Sequence, residues 1–223
     1  MLTLYTWDGS RGARVSWLLE ELNIQYAIKL LPKPNLSKGV FPKELSEVSP
    51  TNEVPVLELD DGTKLTESPA IMHYILENYG KESSLYPQDS KENYNVYEAL
   101  FTSEGNVMTC ATVLMIHETA KNLSPFGVSH LLGALFGYID GKYAKVKLAR
   151  CLAHLDARIA ANGGYYYGGH FTVADIAWHY CAYLSLNHGL AKFEDYPNIA
   201  KWDKLLSARP AYQRMRAKHI GEA

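Results

Sequence analysis

A hydroxyl placed where a strand hands over to a helix can hold an anion, and Ser10-Arg11-Gly12-Ala13-Arg14 has that placement. Upstream, Leu2-Thr3-Leu4-Tyr5-Thr6 alternates like a strand with one buried face. Downstream, Val15, Leu18, Leu19 and Leu22 recur at helical spacing, with Arg14, Glu20 and Glu21 at the other positions. Unsatisfied N–H groups at a helix start attract negative charge, so a Ser10 oxygen beside them suits an anionic ligand. Plain capping of the helix by Ser10 or Asp8 explains the same residues. A second constellation is Val54-Pro55 followed by Glu67-Ser68. Proline at a strand entry, at an edge or as a cis bond, leaves the Val54 backbone free to pair with an extended peptide. Glu67 can accept from an ammonium, and Ser68 at a helix start can bind a carboxylate, so together they match an amino-acid head group. Taken singly, Pro55 is a strand terminator, Ser68 a cap and Glu67 a solvated charge.

The elements that must hold these groups fall into two textures. Tyr26–Leu31 reads as a second strand, closed by Pro32 and Pro34, with a short helix near 41–48. Val54–Leu59 and Thr63–Thr66 flank an Asp60-Asp61-Gly62 turn, a hairpin signal. Ser68-Pro69 then opens a helix, Ser68 as N-cap and Ile71, Ile75, Leu76 and Tyr79 inward. The order β-α-β-α-β-β-α predicts an α/β domain over residues 1–80 with a mixed sheet. Residues 81–90 suit a linker, and 91–223 read as an all-helical domain. Helices are expected over 91–120 and over 128–161, the latter broken near Gly137 or Gly141. A Thr172-to-Asp175 capping box opens another, and a helix from Pro197 ends at Arg209-Pro210.

The 223 residues, 47% apolar and 21% charged, suffice for a sizeable core. A net charge of −2 gives no basic footprint for nucleic acid or an anionic membrane. No signal peptide or membrane span is expected, and Cys110, Cys151 and Cys181 read as buried thiols, consistent with the cytoplasm. The histidines have no metal-binding spacing, so no metal is expected.

With Ser10-x-x-x-Arg14, Val54-Pro55, Glu67-Ser68 and Phe171-Thr-Val-Ala-Asp175-Ile176, the chain resembles the glutathione transferase superfamily along essentially its whole length. Ser10-Arg11, Trp17-Leu18-Leu19 and Glu104-Gly105 make it similar to a fungal and bacterial subgroup. The resemblance implies a thioredoxin-like first domain, an all-helical second one, a two-fold homodimer and a role in detoxification. It implies conjugation of reduced glutathione to hydrophobic electrophiles, or peroxide reduction by the same thiolate. A noncatalytic ligand carrier or interaction module on the same fold is the alternative. Ser10 would donate to the glutathione thiolate; lowering a thiol pKa by about 2 is worth about 2.7 kcal/mol. Tyr5 is the rival donor, as in tyrosine-type relatives. Val54, Pro55, Glu67 and Ser68 would bind glutathione, with Arg14 ordering the loop or lending positive potential. Many relatives carry Lys or Arg where this chain has Glu53, so Lys43, Lys38 or Asn52 would serve the glycine carboxylate. The electrophile pocket, expected between the domains, would use Met108, Thr112 and Phe126, with Val107 and Met115 nearby; Glu104 would approach the glutathione ammonium or pair with Arg11 or Arg14.

Overall fold

The computed structural model describes residues 1–35 and 38–220, so the last three positions of the expected second domain lie outside it. The chain forms two compact units, Met1–Gln88 with Leu205–Ala223, and Asp89–Lys204.

In the first unit the strands are β1 (Leu2–Thr6), β2 (Tyr26–Leu30), β3 (Val56–Glu58) and β4 (Lys64–Leu65). Their order across the sheet is β2-β1-β3-β4, with β1 and β2 parallel and the other pairs antiparallel. Three helices belong to the same stretch: α1 (Gly12–Glu21), α2 (Lys43–Val48) and α3 (Ser68–Tyr79). A parallel β1–β2 pair requires a crossover, and α1 supplies it. The core follows the two periodicities: Leu2 and Leu4 from alternate positions of β1, Val15, Leu18 and Leu19 from α1, Ile71, Met72 and Ile75 from α3. This is the mixed-sheet α/β arrangement anticipated from the strand and helix patterns, and the thioredoxin-like one implied by the resemblance.

The second unit runs through α4 (Ser90–Thr102), a π-helical turn (Ser103–Met108), α5 (Thr109–Leu123), α6 (Phe126–Lys142), α7 (Ala144–Ala161), α8 (Val173–Asn187) and the first part of α9 (Pro197–Ser207). The stretch 90–123 is long and apolar; Leu100, Val107, Cys110, Ala111 and Leu114 are buried, while Phe101, Ile116 and Leu123 are exposed. The Thr172–Asp175 capping box is present. Asp175 accepts four bonds: Oδ1 from Tyr166 N–H (2.8 Å) and Trp202 Nε1–H (2.9 Å), Oδ2 from Thr172 N–H (2.9 Å) and Thr172 Oγ1–H (3.0 Å). Asp156 likewise satisfies the backbone N–H groups of Asn198 and Ile199 at the start of α9.

Four local expectations are corrected. Ser68 is the first residue of α3 and not its cap; Glu67 takes the cap position with no side-chain bond. Tyr79, the last residue of α3, is 47% exposed and not inward, its ring edge-on to Tyr74 at 6.5 Å. The break in the 128–161 pattern falls at Tyr143, between α6 and α7, where φ −131° and ψ −73° leave the helical region, and not at a glycine. Pro210 does not merely end α9: it opens α10 (Pro210–Ile220), since a helix's first residue needs no N–H partner.

α10 belongs to the first unit and packs along α1. Glu20 and Glu21, read from sequence as the polar side of α1, are instead covered by basic residues of α10 and its lead-in. Arg214 Nε donates to Glu20 Oε2 at 2.8 Å, and Lys218 Nζ lies 2.5 Å from Glu20 Oε1. Arg209 grips both oxygens of Glu21, at 2.6 and 2.8 Å. Tyr212 packs edge-on to Trp17, ring centres 4.9 Å apart. Burial alone would push the Glu20 carboxyl up; the bonds from Lys218, Arg214 and Tyr26 outweigh it and hold the group below its ordinary value.

Candidate functional site

Ser10 closes a tight turn between β1 and α1, its N–H donating to the Trp7 carbonyl at 3.2 Å. The residue is 7% exposed. Its hydroxyl oxygen accepts from Gly12 N–H at 3.1 Å and lies 2.7 Å from Thr6 Oγ1. Arg11 holds the N-cap position of α1 and makes no side-chain capping bond to the helix, so neither Ser10 nor Asp8 is the helix cap in the strict sense. Ser10 nevertheless serves one of the orphan donors of the first turn, and a hydroxyl that accepts from the backbone retains its own proton to give. Arg14, one turn on, is buried within α1.

Tyr5 is held elsewhere in the sheet. Its phenol donates to Glu58 Oε2 at 3.1 Å and accepts from Lys29 Nζ at 3.2 Å, and that ammonium sits 4.9 Å from the ring centre. The register places Lys29 beside Tyr5 on β2, with Glu58 two positions beyond its β3 partner Val56. The phenol proton is therefore committed to a cross-sheet network.

The Val54–Pro55 bond is cis, and β3 begins at the next residue. Val54 is buried, while the neighbouring Glu53 is exposed and its N–H donates to Ser49 Oγ at 3.0 Å. Glu67 has φ +65° and ψ 102°, a backbone state that costs a non-glycine residue of order 1–3 kcal/mol and recurs at ligand sites. Its side chain is exposed. Ser68 is 2% exposed, and its Oγ makes no hydrogen bond among the described residues. A buried hydroxyl left unsatisfied at the N-terminus of the 12-residue α3 fits a carboxylate ligand supplied from outside.

Of the expected anion-binding side chains, Lys43 is 87% exposed and 3.3 Å from Glu47. Lys38 is exposed, and Asn52 accepts from Ser46 Oγ at 2.6 Å with φ +57°. On the helical unit Met108 is buried, Thr112 is exposed, and Phe126 is 84% exposed with its ring edge-on to His130. A cavity of about 530 Å³ in that unit is lined by Leu114, His117, Lys121, Phe136, Asp140 and His188 among others, and by none of those three. In it His117 Nδ1 meets Asp140 Oδ1 at 2.7 Å and its ring stacks on Phe136.

Sequence reasoning passed over Thr6. The signal was parity: Thr6 shares the β1 face of Leu2 and Leu4, so its hydroxyl points into the core. It also passed over the α10 cations, whose partners lie almost the whole chain away.

The N-terminal domain model of glutathione S-transferases matches residues 4–83, and the C-terminal domain model of glutathione S-transferases matches residues 140–202. Glutathione S-transferase 1 of Saccharomyces cerevisiae is 28% identical over 217 residues, 95% of this chain and 92% of that protein. Glutathione S-transferase 3 of Schizosaccharomyces pombe is 26% identical over 211 residues, covering 95% and 85%. Among solved structures, a glutathione S-transferase from the Antarctic clam Laternula elliptica superposes with TM-score 0.76 at 26% identity, covering 100% of this chain and 94% of that one. A glutathione transferase homologue from Sulfitobacter with bound glutathione gives TM-score 0.78 at 21% identity, covering 99% of each.

Proposed function

Because the chain belongs to the glutathione S-transferase superfamily, we propose that it conjugates reduced glutathione to electrophilic small molecules, with Ser10 holding the thiolate. The observation that carries the assignment is the Ser10 oxygen accepting from Gly12 N–H at the entrance to α1, which keeps the hydroxyl proton available to an anion whenever Thr6, 2.7 Å away, is the donor of the pair. The engagement of the Tyr5 phenol with Glu58 and Lys29 supports Ser10 over Tyr5. The unsatisfied Ser68 hydroxyl and the exposed Glu67 carboxylate support binding of the carboxylate and ammonium at the γ-glutamyl end. Val54 and Pro55 would meet the cysteinyl backbone. Arg14, buried in α1, would order the loop, and Lys43 would draw the glycine carboxylate by charge alone. Met108, Thr112 and Phe126 keep their assignment to the electrophile.

In this mechanism Ser10 donates a hydrogen bond to the sulfur, and the thiol proton passes to solvent. The thiolate attacks an electrophilic carbon, forming the C–S bond as the leaving group departs with its electron pair. Toward a peroxide the same sulfur would attack oxygen, the O–O bond breaking to release an alcohol and leave a glutathione sulfenic acid, from which a second glutathione would displace water to form the disulfide. A charge-assisted hydrogen bond contributes about 1.5–3 kcal/mol, so Ser10→Ala should lower kcat by about tenfold to a hundredfold. KM for glutathione should stay near the parent's. Tyr5→Phe should leave kcat close to the parent value; a collapse in Tyr5→Phe with an unaffected Ser10→Ala would reverse the assignment.

Glu53 favours a second reading, a glutathione-transferase fold acting as a noncatalytic carrier, because an exposed carboxylate beside Val54 repels an anionic tripeptide. A two-fold homodimer in the cytoplasm belongs to either reading.

A further inference from the structure

Thr6 ends β1 with 0% exposure, and a fully buried hydroxyl must find partners. It has two: Ser10 Oγ at 2.7 Å and, at 3.4 Å, the carbonyl of Trp7. A hydroxyl has one proton and two acceptor sites. Gly12 N–H fills one acceptor site on Ser10. Two arrangements remain. When Thr6 donates to Ser10, both acceptor sites of Ser10 are filled and its proton has only an external acceptor. When Thr6 instead donates to Trp7, Ser10 spends its proton on Thr6. The 3.4 Å contact is beyond the usual range for a hydroxyl donor, so little opposes the first arrangement. An anion near Ser10 favours it further, since bonds to charged acceptors are about twice as strong and neighbouring bonds in a chain reinforce one another.

Gly12 gives an independent indication. Glycine is a poor helix former, yet it occupies the first position of α1 with no left-handed φ to require it. A Cβ there would lie 2.0 Å from Thr6 Oγ1 and 2.7 Å from Thr6 Cβ. The space that a side chain would fill is the space the Thr6 hydroxyl uses.

We propose that Thr6 is a positioning residue that turns Ser10 into a one-way hydrogen-bond donor toward an anionic sulfur, with Gly12 reserving room for it. The proposal rests on the reading that Ser10 faces the glutathione thiolate. The full chain is made as Thr6→Val, Thr6→Ser, Ser10→Ala and the Thr6→Val/Ser10→Ala double variant. Each is titrated with glutathione across pH, following thiolate absorbance, and assayed with chlorodinitrobenzene. Thr6→Val is expected to raise the bound thiol's pKa by about half a unit to one unit and to lower kcat about three- to tenfold, with KM for glutathione unchanged. Thr6→Ser should restore both, and the double variant should be no worse than Ser10→Ala. Should Thr6→Val fail to fold, Thr6→Ala removes the hydroxyl without the added methyl bulk. A parental thiol pKa in Thr6→Val, or losses that multiply in the double variant, would overturn the Thr6 proposal while leaving Ser10 in place. A parental pKa in Ser10→Ala would overturn the Ser10 reading and the proposal together.

Discussion

Replacing Asp175 with asparagine keeps one of the two oxygens that hold the entrance of α8 and exchanges the other for an amide. Oδ1 serves Tyr166 N–H and Trp202 Nε1–H, while Oδ2 serves Thr172 N–H and Oγ1–H. Asparagine can keep the first pair only by turning its NH2 group toward the Thr172 N–H, donor against donor. The Thr172 hydroxyl can turn to accept from that NH2, but the Thr172 N–H loses its bond to a charged group and is left facing a second donor, together about 3 kcal/mol. Desolvation offsets part of this. Burial pushes the Asp175 carboxyl above its ordinary value, against the donors from Tyr166, Trp202 and Thr172, and the amide carries no charge to desolvate. The net expectation is about 2 kcal/mol for Asp175→Asn and about 4 kcal/mol for Asp175→Ala, which leaves all four donors unmatched. For a chain of this length that is a fall in Tm of about 4–8 °C and twice as much, respectively. Denaturant unfolding followed by tryptophan fluorescence measures both. Asparagine matching the parent within about 0.5 kcal/mol, or proving worse than alanine, would refute the oxygen-by-oxygen argument.

Two further outcomes follow from groups of the first unit. His219 is buried in α10 with neither ring nitrogen hydrogen-bonded among the described residues, and burial pulls its pKa down to about 4, with Arg216 acting in the same sense and Asp8 against it. The unfolded chain then binds the extra proton first. Stability should be complete above pH 6.5 and fall by up to about 1.4 kcal/mol per pH unit toward pH 4; unfolding midpoints of His219→Leu should be flatter over that window. Glu53→Lys should tighten glutathione binding by calorimetry by roughly fivefold at low salt, an effect of about 1 kcal/mol that shrinks as salt is added. If the parent binds nothing and the variant does, the carrier reading takes precedence over the enzyme.

What was legible in the sequence was what short spacing encodes. The Thr172–Asp175 box depends on residues three apart, and the Asp60-Asp61-Gly62 turn on adjacent ones, so both emerged intact. The same Asp175 also binds Tyr166 and Trp202, 9 and 27 residues away, and no periodicity announces those partners. Glu20 and Glu21 show the limit clearly. A carboxylate on a helix normally means a solvated face, and here the cations of α10 and its lead-in cover both carboxylates. Ser68 was misread by one position because a serine before a proline is equally suited to the cap or to the first turn. At the candidate site the residue types of Ser10, Glu67 and Ser68 were visible. The hydroxyl geometry linking Thr6, Ser10 and Gly12 was not, since it depends on a side chain that glycine lacks.

The pairing of α1 with α10 also carries a cost in time. Arg209 reaches Glu21 across 188 residues and Arg214 reaches Glu20 across 194. At a ribosomal pace of about 5–20 residues per second, the two glutamates wait roughly 10–40 s between their own synthesis and the arrival of the guanidinium groups that cover them. Through that interval the nascent sheet must exist with one flank of α1 and the Trp17 ring uncovered. The first half to be made is thus the last to be finished, and a nascent chain stalled before residue 209 would present that flank to chaperones however well the helices in between had formed.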